Sequence, residues 1–270
     1  MWDLLLTLFG FLVGIIASLT GIGGGSFIVP ILTILYNFVP ANAVGTSLTS
    51  IIFTAAASTL NYARQKRIYY KTGLILATTT VPGAFLGARL TRIIPPNTLG
   101  LIFGVFIVFI ALRMIISIND FRRKKANLER EKEAVQIISK SDEEVISHGR
   151  TLILGAGLSF FGGLASGLLG IGGGVLVVPI MVFALKMPIH NATATSMFTM
   201  IITSISGVAE HYMADHIYFD YALLLALGTI FGAQVGAYTS KKISGKGLRR
   251  TFGMVLLFVS VQMIMKYWPP

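Results

Sequence analysis

The sequence predicts an all-α polytopic membrane protein, with about eight hydrophobic segments arranged as two inverted repeats. Three observations carry that expectation. The chain is 54% hydrophobic and only 12% charged, against roughly 25% charged in soluble domains, and its charges cluster between long apolar runs. Residues 21–31 read GIGGGSFIVPI and residues 170–180 read GIGGGVLVVPI, an offset of 149 that holds without a gap from Phe11/Phe160 to Gly104/Gly253. The basic residues of equivalent loops change places between the two halves. An ungapped register of this length is an internal duplication. Gly/Pro-interrupted segments at matching positions of two membrane repeats point to a transporter and to its site.

Composition excludes several classes. A net charge of +11 would raise nucleic acid as a partner in a soluble chain. Here Lys and Arg sit in short loops, as the positive-inside rule expects, so no nucleic-acid partner is expected. The absence of cysteine rules out disulfides, thiol catalysis and thiolate metal sites. A signal peptide is not expected either. Met1-Trp2-Asp3 is not a basic start, the apolar run continues past Gly21 to Tyr36, and its partner lies mid-chain.

In chain order, the first repeat (1–118) holds apolar segments at about 3–37, 43–63, 72–92 and 98–117. A charged linker, 119–150, follows. The second repeat (151–270) holds segments at about 151–186, 191–212, 218–240 and 248–267. The single segments are near the ~20 residues that span hydrocarbon, and lipid demands helices there. The first segment of each repeat is too long for one plain span and is broken by glycine. Three forms fit it: a re-entrant hairpin, two crossings, or one tilted broken helix. Non-helical backbone at membrane depth has to be buried in protein or line a cavity, so GIGGG is expected inside the bundle. The linker, whose basic run Arg122–Lys125 follows the fourth segment, reads as a solvated cytoplasmic tether anchored at the inner leaflet.

Loop charge decides how the repeats relate. The loop with Arg64, Lys66, Arg67 and Lys71 matches one with Glu210, Asp215 and Asp220 and no Lys or Arg. The loop with Arg89 and Arg92 matches one with Lys241, Lys242, Lys246, Arg249 and Arg250. Inversion gathers the strongly basic loops and the basic linker on one face; a parallel arrangement splits them. It requires each GIGGG segment to contribute an even number of crossings, as a hairpin would.

Few residues carry chemistry. Gly21, Gly23, Gly24 and Gly25, with Gly170, Gly172, Gly173 and Gly174, permit close backbone packing and a tight turn. A helix starting after such a turn also points free N–H groups inward, where anions are held. Asn42-Ala-Val-Gly-Thr46-Ser47 and Asn191-Ala-Thr-Ala-Thr195-Ser196 each open a helix. There Asn can cap, and the hydroxyls can bond backbone or a small oxyanion. Glu210, His211, Gln234 and Arg113 are the candidates for a coupling group or a path, His211 because it can carry a proton. Arg113 lies near a segment end, where snorkelling explains it. Gln234 joins helices as easily as it lines a path. His211, Asp215 and His216 have a spacing that suits a metal on one face, but neither a metal nor a cofactor is expected. The Gly83/Gly87 and Gly232/Gly236 pairs serve intrachain packing as readily as an oligomer.

Twin G-I-G-G-G…P segments, each followed by N-A-x-[GA]-T-S, resemble the sulfite exporter TauE/SafE family over nearly the whole chain. The resemblance implies a multi-pass carrier in the inner (plasma) membrane of a bacterium or archaeon. It would move sulfite, sulfoacetate or another sulfonate. Separately from the resemblance, a proton or another coupling ion is a candidate partner, which the sequence does not identify. By that resemblance the substrate-binding residues are the eight motif glycines above together with Asn42, Thr46, Ser47, Asn191, Thr195 and Ser196. Ala194 stands where the first half has Gly45, so backbone access is not expected to be required there. The rival expectations are an anion channel and a carrier of a non-sulfur carboxylate. An enzyme is not expected, since no catalytic constellation repeats.

Overall fold

A computed structural model describes residues 2–116, 149–240 and 246–268. Most of the linker, 117–148, lies outside the described residues. Among the described residues ten α-helices follow one another and no strand occurs. In the first half they are α1 (Trp2–Thr20), α2 (Gly25–Pro30), α3 (Pro40–Arg64), α4 (Tyr70–Leu90) and α5 (Pro96–Ile116). In the second they are α6 (Gly149–Leu169), α7 (Gly174–Pro179), α8 (Ile189–Met213), α9 (Phe219–Thr239) and α10 (Lys246–Tyr267). Short π-helical turns, Ile31–Leu35 and Ile180–Ala184, extend α2 and α7. Each follows a proline, whose missing N–H and ring displace the regular α ladder. Five helices are long and apolar enough to cross a membrane: α3, α4, α6, α8 and α9.

The two halves interlock rather than sit side by side. α1 packs along α9, and its equivalent α6 packs along α4; α3 crosses α8, and α5 pairs with α10. Small residues make the closest contacts. Gly232 and Gly236 face Phe11 and Ile15 of α1, while Gly83 and Gly87 face Phe160 and Leu164 of α6. These glycines are therefore engaged inside one chain.

Contact register gives helix direction. Gly45 meets His211 and Leu48 meets Gly207, so α3 and its equivalent α8 run in opposite directions. Gly100 meets Tyr267 and Gly104 meets Ile264, so α5 and α10 do the same. α1 runs with α9, since Gly10 faces Leu225 and Gly14 faces Thr229. α3 also runs with α9, from the Thr46–Tyr218 contact to that of Gln65 with Ala237. α1 and α3 thus point the same way, and the chain between them has to return. The GIGGG break turns it, and α2 with its π-turn brings it back. Lys266 Nζ holds the returned end, donating to the Thr33 carbonyl at 2.6 Å and to Asn37 Oδ1 at 2.9 Å. The reversal rules out one tilted broken helix, and the return leg, Gly25–Leu35, is shorter than the ~20 residues that span hydrocarbon, as a re-entrant hairpin requires.

Candidate functional site

Each break is built from left-handed glycines. Gly21, Gly23 and Gly24 have φ of 74°, 94° and 87°; Gly170, Gly172 and Gly173 have 68°, 77° and 78°. Only glycine takes that conformation freely. The Gly24 carbonyl then accepts from Phe27 and Ile28, and the Gly173 carbonyl from Leu176 and Val177, which starts the return helices. Both breaks are buried, and they abut. A Cβ on Gly25 would collide with the Gly170 carbonyl, and one on Gly174 with the Gly21 carbonyl. Met200 lies against both Gly23 and Gly172. The motif glycines are thereby brought to one place between α3 and α8.

The hydroxyls of the second motif hold this arrangement. Ser47 Oγ donates to the Gly170 carbonyl at 2.9 Å, and Ser196 Oγ donates to the Gly21 carbonyl at 3.1 Å. The Tyr218 N–H donates to Thr46 Oγ at 3.1 Å, and the Tyr69 N–H donates to Thr195 Oγ at 3.0 Å. Each half therefore clamps the break and the helix-entry loop of the other. The asparagines do not cap as expected. Val39 and Pro188 are the N-cap residues, so Asn42 and Asn191 fall inside the first turn. Pro40 accounts for this in α3: it sits at N1, where its fixed φ starts the helix before Asn42 is reached. Asn191 Nδ2 instead donates to the Arg67 carbonyl at 3.1 Å. The expectation for Ala194 also needs refining. Gly45 does require the absence of a side chain, because a Cβ there would strike the His216 carbonyl.

Four serines that the motifs did not single out are also buried. Ser26, Ser50, Ser166 and Ser204 are fully buried, and their hydroxyls have no hydrogen-bond partner in the protein. Ser26 opens α2, and the Ser166 Cβ is a neighbour of Gly173. Ser50 and Ser204 lie on the crossing helices, one residue before Ile51 and one turn after Met200, both of which touch the breaks. Buried hydroxyls are nearly always bonded, and Ser26 and Ser166, which adjoin Gly25 and Gly173, are exceptions next to the breaks.

The remaining candidates separate from the breaks. Glu210 and His211 sit at the C-terminal end of α8. Arg92 Nη2 is 2.9 Å from Glu210 Oε1 and donates to the Glu210 carbonyl at 3.1 Å. His211 Nε2 bonds the Gly167 carbonyl at 3.0 Å, and His211 Nδ1 is 3.4 Å from His216 Nδ1. Burial pushes His216 below the ordinary histidine value; Arg92 adds to the effect and Asp215 opposes it. No group of three metal-ligating side chains comes together among the described residues. Gln234 joins helices: its Oε1 accepts from Asn61 Nδ2 at 3.0 Å, and its Nε2 donates to the Ala57 carbonyl at 3.0 Å. Arg113 lies in α5, with its side chain outside what is described.

A profile of the sulfite exporter TauE/SafE family matches residues 6–263. The chain belongs to the sulfite exporter TauE/SafE family. Its relatives include a probable membrane transporter protein, YunE, of Bacillus subtilis, 33% identical with 96% of each chain covered. Another, a probable membrane transporter protein of Methanocaldococcus jannaschii, is 29% identical over 97% of this chain and 95% of the relative. No solved structure matches. TauE/SafE membership together with the five apolar spanning-length helices makes this a multi-pass membrane transporter and not an enzyme.

Proposed function

We propose that the protein is a secondary carrier that exports a small organosulfur anion, such as sulfite, sulfoacetate or another sulfonate, by alternating access. It would sit in the inner (plasma) membrane of a bacterium or archaeon, with the linker 119–150 cytoplasmic and a proton or another ion coupled to the anion. The observation that carries the reading is the meeting of two buried glycine breaks, with the unpartnered buried hydroxyls of Ser26 and Ser166 adjoining them. An oxyanion accepts several hydrogen bonds at once, which suits hydroxyl and backbone N–H donors converging from two halves. The eight motif glycines with Asn42, Thr46, Ser47, Asn191, Thr195 and Ser196 form the proposed substrate region. The opposed directions of α3 and α8, and of α5 and α10, support an inverted topology. Each hairpin leaves three net crossings per half, which is the odd number inversion needs.

The test is a thermal-shift panel on purified protein with sulfite, sulfate, sulfoacetate, taurine and acetate. A ligand that binds only the folded state raises stability by RT ln(1 + [L]/Kd). Stabilisation by sulfite or a sulfonate and not by acetate is expected. Stabilisation by acetate alone would favour a carboxylate carrier instead. Thr46→Val and Thr195→Val should each weaken the stabilising ligand while the protein still folds; unchanged affinity in both would remove them from the site.

A further inference from the structure

The duplication makes the end of α8 comparable, residue by residue, with the end of α3. His211 is the equivalent of Tyr62, and His216 of Arg67. Tyr62 Oη donates to the Ser18 carbonyl at 2.7 Å. His211 makes the same bond to the equivalent carbonyl, that of Gly167, at 3.0 Å. One structural bond is thus kept by two different side chains. Only the histidine has a second ring nitrogen, and that nitrogen faces His216 at 3.4 Å.

We propose that His211 and His216 form a shared proton-binding site, and that its occupancy controls one end of the carrier. The geometry sets the tautomers. A carbonyl only accepts, so His211 Nε2 carries hydrogen and His211 Nδ1 presents its lone pair. The His216 Nδ1–H then donates to it. His211 is fully buried, whereas His216 is only partly so. A proton from solvent adds to His216 Nε2; the His216 Nδ1 proton is then shared with the His211 Nδ1 lone pair; the His211 Nε2–H stays on the Gly167 carbonyl. The pair ends with one added proton and one positive charge.

That charge lies where the two halves interlock. The charged groups about the pair are Glu210 on α8, Asp215 on the following turn and Arg92 beyond the end of α4; α6 presents the Gly167 carbonyl and α3 the backbone of Gly45. Arg92 opposes the new charge, and Glu210 is already engaged with Arg92. The His216 turn is pinned to α3 by the close Gly45 contact and by the Tyr218–Thr46 bond. The next residue of α3, Ser47, holds the Gly170 break. Protonation therefore loosens the α3 end that clamps one break. The Tyr62/Arg67 end, which has no group titrating near neutral pH in these two places, keeps its clamp. The inference rests on the carrier reading, and it makes the coupling ion a proton that acts from one side.

The chain contains four histidines and no cysteine, which makes both halves of the test clean. Full-length protein labelled with 15N-histidine in detergent is titrated by NMR. His211→Tyr and His216→Arg, which copy the other half, assign the two signals. Separately, the matched reporters Val39→Cys and Pro188→Cys, at the N-caps of α3 and α8, are alkylated with a maleimide, and the ratio of their rates offsets the reagent's own pH dependence. The expected result is one proton shared by the two rings, with a rate ratio that rises about threefold on acidification from pH 7.5 to pH 5.5. The ratio should stay flat in His211→Tyr/His216→Arg, or in His216→Gln if the double variant does not fold. Independent titration of the rings, or a ratio that changes equally without them, overturns the proposal. Neither readout uses the anion. An unresponsive anion panel with an intact shared titration would sink the substrate class alone, and the converse would sink this inference alone.

Discussion

Ser47 reaches the Gly170 carbonyl and Ser196 the Gly21 carbonyl, at 2.9 and 3.1 Å; Tyr218 donates to Thr46 and Tyr69 to Thr195, at 3.1 and 3.0 Å. Around the breaks, equivalent residues of the two halves make equivalent bonds. One helix-length away they part. The end of α3 carries Asn61, Tyr62 and Gln65, which bond Gln234, the Ser18 carbonyl and the Ala237 carbonyl. The end of α8 carries Glu210 and His211, which engage Arg92, the Gly167 carbonyl and His216. The duplicated chain has kept the bonds that shape the breaks, and it has placed a pair of facing histidines at the end of α8 where the end of α3 carries Tyr62 and Arg67. A carrier can use this combination: a binding region built alike from both halves, and titratable groups at one end through which a proton can act.

The comparison can be broken at the breaks first. Gly25→Ala and Gly174→Ala each drive a methyl into a carbonyl of the opposite break. Both should cost about 3 kcal/mol, the upper end for an overpacked interior, because neither backbone can shift without moving a clamp. Thermal unfolding in detergent measures this, and similar losses in both variants are expected. A large loss in one and none in the other would end the equivalence.

The next effect sharpens the difference between the ends. Arg92→Ala leaves the Glu210 carboxylate, with its side chain 5% exposed, without its partner. The loss should be about 1–3 kcal/mol, less than for a fully buried pair because the Arg92 side chain is 39% exposed. Asn61→Ala, at the equivalent of Glu210, removes only neutral bonds and should cost about 1 kcal/mol. Equal losses would mean that the ion pair contributes nothing beyond an amide. A smaller matched pair follows at the clamps: Ser47→Ala and Ser196→Ala should each cost about 1 kcal/mol, within error of one another.

The smallest effect is a pH dependence. Burial holds His216 below the ordinary histidine value, so below about pH 6.5 the unfolded chain binds the proton more readily than the folded one. The folded state's advantage is present above that pH and is lost as the pH falls toward the lowered value. His216→Gln should flatten this acid-side decline in melting temperature by a degree or two. A steeper decline in the variant would contradict the burial argument.

Much of the fold was legible in the sequence because apolar length and the repeat offset are one-dimensional signals. The helices α3, α4, α5, α8, α9 and α10 begin and end within a few residues of the apolar segments. Hairpin or crossing was not legible from hydropathy, which carries no direction; the reversal follows from α1 and α3 both running along α9, and the short return leg Gly25–Leu35 makes it a hairpin. The capping role of Asn42 failed because Pro40 starts the helix first. Ser26, Ser50, Ser166 and Ser204 went unnoticed because a hydroxyl in an apolar helix usually bonds the carbonyl one turn back. Thr54 and Ser58 do this, and only packing tells the two kinds apart. The histidine end was visible as His211 and Glu210. Its pairing with Arg92 joins α8 to the far end of α4, a proximity that spacing does not encode.

The most direct test of the carrier account is counter-flow in proteoliposomes loaded with unlabelled sulfoacetate or sulfite, with the labelled anion outside. The account predicts saturable uptake that overshoots equilibrium, reduced in Thr46→Val and Thr195→Val alike. Uptake of these anions that neither saturates nor responds to the trans anion would make the protein a channel and contradict alternating access.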